Sequence, residues 1–292
     1  MNMGRLKLIT CLLALMPLAV VAGQSVDERW DIDAEATVSI ENLAGEIVIQ
    51  AWDKNEARLT GELGDSVDEL EIDASRSRLQ ITVMNRNNRN VDSTDLKLMV
   101  PHGANIDASA VSADIVVSGL DNDKLTASSV SGDVEVEASS QRVSIESVSG
   151  DVEFSGHTER ISAESVSGDI NLSGISGEIS ATTVSGDMEL HAGSIEGAKL
   201  ETVSGDIIAT GELSDNARLS AESMSGDVTI FLPSSQNGLF KAQSFSGRIY
   251  TDFGSVQHAK HGPDSHLKYN VGSGGSEVRV ESFSGNIKLK KD

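Results

Sequence analysis

A four-residue phrase, Val-Ser-Gly-Asp, recurs along the chain and constrains its fold more than any other feature. It stands at Val130–Asp133, Val148–Asp151, Val166–Asp169, Val184–Asp187 and Val203–Asp206. Variants follow at Met224–Asp227, Phe245–Arg248 and Phe283–Asn286, and earlier forms occur at Val111–Asp114, with Ala113 for the glycine, and at Leu43–Glu46. From Val111 the spacings are 19, 18, 18, 18, 19, 21, 21 and 38 residues. Since the last interval is twice 19, one unit is expected to have lost its signature between Phe245 and Phe283.

Each unit follows the same internal pattern. Val143, Ile145 and Ser147 alternate with Ser144 and Glu146, and Ile161, Ala163 and Ser165 alternate with Ser162 and Glu164. After the phrase the alternation resumes, as in Val152-Glu153-Phe154. A period of two predicts strands with one buried face. Ser-Gly-Asp is expected to supply a sharp bend, with glycine relaxing the backbone and each Asp closing its own turn. A unit is then strand, bend, strand and a variable corner such as Gly156-His157-Thr158.

Antiparallel meanders or propeller blades could use this pattern, as could stacked parallel coils. Equivalent positions carry equivalent residues, which in-register stacking explains directly: Ser129, Ser147, Ser165, Thr183, Thr202, Ser223, Ser244 and Ser282 all precede the turn's apolar residue. The fold expected is all-β, a right-handed parallel β-solenoid (β-helix) with coils of about 18–21 residues and less regular β structure capping both ends. Nine intervals from Val111 to Phe283, at about 4.8 Å each, would span roughly 43 Å.

The expected organisation has three parts. Residues 1–22 read as a signal peptide: Arg5 and Lys7 precede the apolar run Leu8–Val21, and cleavage after Ala22 is expected. Residues 23–105 form an N-terminal β cap containing one repeat-like rung (Val38, Ile40, Leu43, Ile47, Ile49), with strands at Leu79–Val83 and Leu96–Val100. Residues 106–292 form the solenoid, with an irregular excursion at 250–276 and a last rung ending in Lys288, Lys290 and Lys291. Export would place the chain outside the cytoplasm, in the periplasm, at the cell surface or in the medium, with no membrane span after signal removal. The one cysteine lies within the signal, so no disulfide framework is possible. A net charge of −22 excludes a basic nucleic-acid interface.

Three groups of side chains are candidates for chemistry. The Asp row (Asp114, Asp133, Asp151, Asp169, Asp187, Asp206, Asp227) could gather calcium or could simply accept amide hydrogen bonds. The second reading is favoured, because like charges at about 4.8 Å repel by only about 1 kcal/mol per pair in water. The Glu rows (Glu146, Glu164, Glu201, Glu222, Glu281; and Glu135, Glu153, Glu189) could supply paired carboxylates for glycoside cleavage, but recurrence with the coil favours a solvated face. His258, His261, Asp264 and His266 could bind a transition metal, yet their spacing matches no strong motif and Gly262-Pro263-Asp264 reads as an exposed turn. No catalytic, cofactor or metal residue is assigned on these grounds.

The order of motifs resembles the bacterial putative-adhesin family of exported β-strand-repeat proteins. The residues that carry the resemblance are Gly45–Asp53, Leu98–Ala104, the Val-Ser-Gly-Asp series and Gly272–Gly275, which together cover almost the whole mature chain. It implies a β-solenoid outside the cytoplasm and no catalytic residues. The expected function is a non-enzymatic, adhesin-like binding or structural protein of the cell envelope, with an envelope polysaccharide or surface protein as partner. The alternative is a carbohydrate-active β-helix enzyme, a lyase or hydrolase, using an acidic surface groove.

Overall fold

Alternation in the sequence becomes alternation in burial. The computed structural model describes residues 25–85, 91–258, 265–272 and 275–292. Among these there is no helix; nineteen strands join in one continuous, mostly parallel sheet. The first six are β1 (Ser25–Asp31), β2 (Thr37–Trp52), β3 (Glu56–Glu62), β4 (Val67–Ala74), β5 (Arg78–Asn85) and β6 (Thr94–Pro101). The central six are β7 (Asn105–Ser129), β8 (Val134–Ser147), β9 (Val152–Glu164), β10 (Ile170–Thr183), β11 (Met188–Thr202) and β12 (Ile207–Ser223). The last seven are β13 (Val228–Leu232), β14 (Gly238–Ser244), β15 (Ile249–Thr251), β16 (Gln257–His258), β17 (Ser265–Val271), β18 (Glu277–Ser282) and β19 (Ile287–Lys291). Residues 1–22, the expected signal, lie outside the described residues, as do His261 and Asp264.

Successive units pair in parallel, as a solenoid requires and a meander forbids. Val134 pairs with Val152, Ile170 with both Val152 and Met188, and Met188 with Ile207, so each rung of the stack presents the same position as the rung below. From β7 to β12 the chain breaks its strand only at Ser-Gly-Asp; there the variable corner stays within long strands and is negotiated by register shifts, as near Ser173–Gly177. Inside the stack, rows such as Ala127, Ile145, Ala163 and Ala181 are completely buried. Each fully buried Val, Ile or Leu contributes about 1.5–3 kcal/mol, and stacking repeats that contribution rung by rung.

The C-terminal end corrects the expectation of a lost unit. β18 pairs with β12 on one side and β14 on the other, and β19 lies between β13 and β15. The rung carrying Phe283 is therefore threaded between the Met224 and Phe245 rungs, and the long spacing is the excursion needed to return there. Eight intervals, not nine, separate the first and last turn positions, about 38 Å at the usual strand separation. Beyond β14 lies β17, paired antiparallel, with β16 alongside it.

A similar insertion occurs at the other end. β2 lies between β7 on one side and both β5 and β6 on the other, all parallel. Antiparallel strands then finish that end: β4 on β5, and β3 on β6 followed by β1 on β3. Both ends thus carry antiparallel pairings, while at the C-terminal end β15 finishes its own face parallel to β19.

The glycine of the repeated phrase has a different reason from the one expected. Gly132, Gly150, Gly168, Gly186 and Gly205 are not among the glycines with positive φ. What demands glycine is proximity: a Cβ on Gly168 would lie 1.9 Å from the carbonyl oxygen of Gly150, and one on Gly186 2.1 Å from that of Gly168. Gly168→Ala is expected to lower stability by about 2 kcal/mol or more, because backbone must move to admit the methyl. Gly197→Ala, where a Cβ meets nothing within 4 Å, is expected to be neutral or stabilising by up to about 1 kcal/mol. Urea denaturation of the two variants checks the contrast.

Candidate binding corner

Around each coil the residues at the sharp bend follow a fixed order. In the unit at 146–153, Glu146 points out, Ser147 in, Val148 and Ser149 out, Gly150 in, Asp151 out, Val152 in and Glu153 out. Stacking turns each position into a row parallel to the long axis.

The buried serines organise the bend. Ser147 Oγ accepts the Gly150 amide at 3.0 Å and donates to the Gly132 carbonyl of the preceding rung at 3.3 Å. Ser165 does the same with Gly168 and Gly150, and Ser129 accepts the Gly132 amide and donates to the carbonyl of Ala113, the residue in the glycine's place one rung earlier. Thr183, Thr202, Ser223, Ser282 and Ser244 likewise donate to the glycine carbonyl of an adjacent rung. One hydroxyl thus satisfies two backbone groups that are out of reach of water.

The Asp row accepts amide hydrogen bonds, but between rungs; the expectation that each Asp closes its own turn is corrected. Asp133 Oδ1 accepts the Asp151 amide at 2.8 Å, Asp151 that of Asp169 at 2.8 Å, and Asp169 that of Asp187 at 2.7 Å. The series runs on through Asp187, Asp206 and Asp227 to Asn286. At this last step, where the C-terminal rung is inserted, Lys288 Nζ also reaches Asp227 Oδ2 at 3.1 Å. Partial burial pushes the Asp227 carboxyl up, but the Asn286 amide and the Lys288 ammonium outweigh it and hold it below the ordinary carboxylate range.

The Glu row before the bend is also brought together. Glu146 pairs with Glu164, Thr182 interrupts, and Glu201, Glu222 and Glu281 continue it. Glu201 is neutralised by Lys199 at 2.7 Å and Glu281 by Arg279 at 2.7 Å. Lys199 is held above its ordinary range by Glu201. Among the described residues Glu146, Glu164 and Glu222 have no ion pair. In the second row Glu135 and Glu153 are adjacent, and Asn171 separates them from Glu189. The other displaced carboxyls belong to ion pairs elsewhere: Arg58 holds Asp27 down, and Lys241 does so for Glu277.

Of the histidine candidates, His266 hydrogen-bonds Gln257 across β16 and β17 at 3.2 Å; His261 and Asp264 lie outside the described residues. No group of three or more His, Cys, Asp or Glu able to hold a metal occurs among the described residues. A polar hollow at the variable corner is lined by Glu35, Asp121, Asp123, Gln141, His157 and Glu159. Beneath it, buried Asn122 donates to the Ala104 carbonyl at 2.7 Å and accepts from Ser140.

The apolar residue that opens each repeated phrase was read only as part of the bend. It lies on the surface: Val111, Val130, Val148, Val166, Val184 and Val203 are each 42–45% exposed. Met224, Phe283 and Phe245 extend the row, the two rings stacked 4.9 Å apart. Troughs on the glutamate side are lined by Glu146, Val148, Glu164 and Val166 and, further on, by Glu201, Val203, Glu222 and Phe283. The signal was available, since a residue next to an inward serine must point outward. An apolar stripe between two acidic rows is the feature that sequence reading overlooked.

Comparison with known proteins follows from this architecture. A family model described as Toastrack DUF4097 matches residues 28–290. A putative adhesin from Bacteroides fragilis is similar in structure at 12% identity, with a TM-score of 0.50, 91% of this chain and 97% of that chain being covered. A putative adhesin from Parabacteroides merdae gives 13% identity and a TM-score of 0.38, covering 92% and 97%. A putative lipid binding protein from Parabacteroides distasonis gives 14% and 0.30, covering 92% and 99%. No curated protein matches the chain in sequence.

Two predictions come from the bend. Ser147→Ala leaves the Gly150 amide and the Gly132 carbonyl without their partner and is expected to cost about 2 kcal/mol, whereas Ser147→Thr, the residue type of Thr183 and Thr202, is expected to cost less than half of that; denaturant midpoints report both. Asp227 has a folded pKa below its unfolded one, so its stabilising contribution is present above the ordinary carboxylate range and is lost as pH falls below about 4 and through the folded value. Asp227→Asn is expected to remove that increment from the acid limb of stability against pH.

Proposed function

The chain belongs to the Toastrack DUF4097 family, and from that premise we propose that it is an exported, non-enzymatic, adhesin-like binding protein of the bacterial cell envelope. In this reading its coils take the right hand usual for parallel crossovers and have the 18–21 residues of the repeat spacing, and the stack presents the same outward side chains many times over. The observation that carries this reading is the monotony of the bend: the Val, Asp and Glu rows recur from rung to rung, and the bend's carboxylates among the described residues form rows and not one isolated pair. Glycoside hydrolysis by the usual two-carboxylate route would require an isolated pair. Rows instead suit many weak contacts acting together, which raise overall affinity without any deep pocket.

The apolar segment following Arg5 and Lys7 supports export. The name of the structurally similar Bacteroides fragilis protein agrees with an adhesive role. An envelope polysaccharide or surface protein is the partner this reading expects. The test combines cell fractionation with retention of envelope material on the immobilised mature chain, with and without a chelator. Expected are a chain outside the cytoplasm, shortened by its first 22 residues, and saturable retention. A chain confined to the cytoplasm, or one that retains nothing, would overturn the reading.

A further inference from the structure

The apolar stripe at the bend runs along the whole stack of described rungs and is exposed. Its backbone is already committed: Ser149 donates to the Val130 carbonyl, Ser167 to that of Val148 and Ser185 to that of Val166, at 2.9–3.0 Å. A visiting strand therefore finds no free ladder along this corner, and only side chains can make contact. Patches of this kind, apolar and rimmed by charge, mark interaction surfaces.

Spacing and charge select the visitor. Rungs recur about every 4.8 Å, an α-helix presents one face every 5.4 Å, and a strand does so about every 6.7 Å. Per rung a helix slips by about 0.6 Å and a strand by about 2 Å, so a helix keeps its side chains in the troughs roughly three times as far. A second copy of this chain would match the spacing, yet it would bring Glu and Asp rows against Glu and Asp rows. The charge of the flanks favours a cationic visitor: Glu146, Glu164 and Glu222 carry no ion pair among the described residues, and the Asp row runs along the other side.

We propose that this corner is a docking track for a cationic amphipathic helix of a partner protein, its apolar face on the Val row and its Lys or Arg side chains reaching the acidic rows. The inference rests on the binding role proposed above and specifies the partner's chemistry. The full track, about 38 Å, has the length of a helix of about 25 residues, which stays within half a rung of register over about four rungs at a time.

The test is fluorescence anisotropy with a labelled Leu/Lys helix of about 25 residues, all Leu on one face, titrated with the mature chain. Expected are saturable binding that weakens severalfold as salt rises to roughly 300 mM, and no binding of a Leu/Glu helix of the same pattern. Val148→Thr, Val166→Thr and Val184→Thr together, which keep β-branched shape, are expected to weaken binding at least about tenfold. Glu146→Gln, Glu164→Gln and Glu222→Gln together are expected to weaken it about threefold or more and to flatten the salt dependence. Equal binding of the Leu/Glu helix, unaltered binding by the Thr variant, or wild-type dimers that the Thr variant abolishes would each overturn the inference, the last assigning the stripe to a second copy. If the helix does not bind while wild type and Thr variant retain envelope material equally, the track is wrong and the binding role stands; if neither probe nor envelope material binds, both fall.

Discussion

The close passage of one glycine peptide over the next is the constraint on which the rest of the structure depends. At each glycine bend a carbonyl oxygen of the adjacent rung occupies the place where a Cβ would project, and at Ser129, Ser147, Ser165 and Ser244 a buried hydroxyl ties such a carbonyl to the glycine amide. The parallel backbone pairing fixes the vertical step between rungs, and at that step only glycine fits at the bend. Once the step is fixed, the inward rows must fill identical space, which explains the rows of Ala, Val and Ile. The outward rows must also stack, which explains how an exposed valine becomes a continuous stripe and exposed carboxylates become acidic edges.

Such a stack has two exposed ends, and the chain treats both alike. A rung near each terminus is threaded inside the stack, and both ends carry antiparallel pairings. Buried on both edges, β2 and β18 hydrogen-bond on two sides. The C-terminal insertion has an electrostatic latch as well, because Asp227 meets Asn286 and Lys288 where the Asp row would otherwise end. Antiparallel edge strands differ in their hydrogen-bond pattern from the parallel rungs and so offer a poorer template for another stack.

The candidate corner was partly legible from the start. Alternation placed Ser147 inside and Glu146 outside, and the register joins Glu146 to Glu164 as the repeat implies. The same alternation placed Val148 outside, but as the first residue of the repeated phrase it counted only as part of the bend. The Asp row was recognised without its partner, because an acceptor at a turn can serve its own turn or the next rung, and only stacking chooses between them. The excursion at 250–276 hid the insertion: a missing repeat and a return to an earlier gap leave the same interval in a sequence.

The primary structure by itself determined the strand periods, the place of each bend, the inward and outward sides, and the pairing of like position with like. Those properties are local or follow from the identity of repeated residues. Tertiary structure alone decided the order of the rungs, the antiparallel ends, the inter-rung bond of each Asp and the reason for each glycine. Rungs with nearly identical inner faces are interchangeable neighbours, so their order is settled by where the excursions can reach and by which contacts close the ends, and neither quantity is written in the repeat.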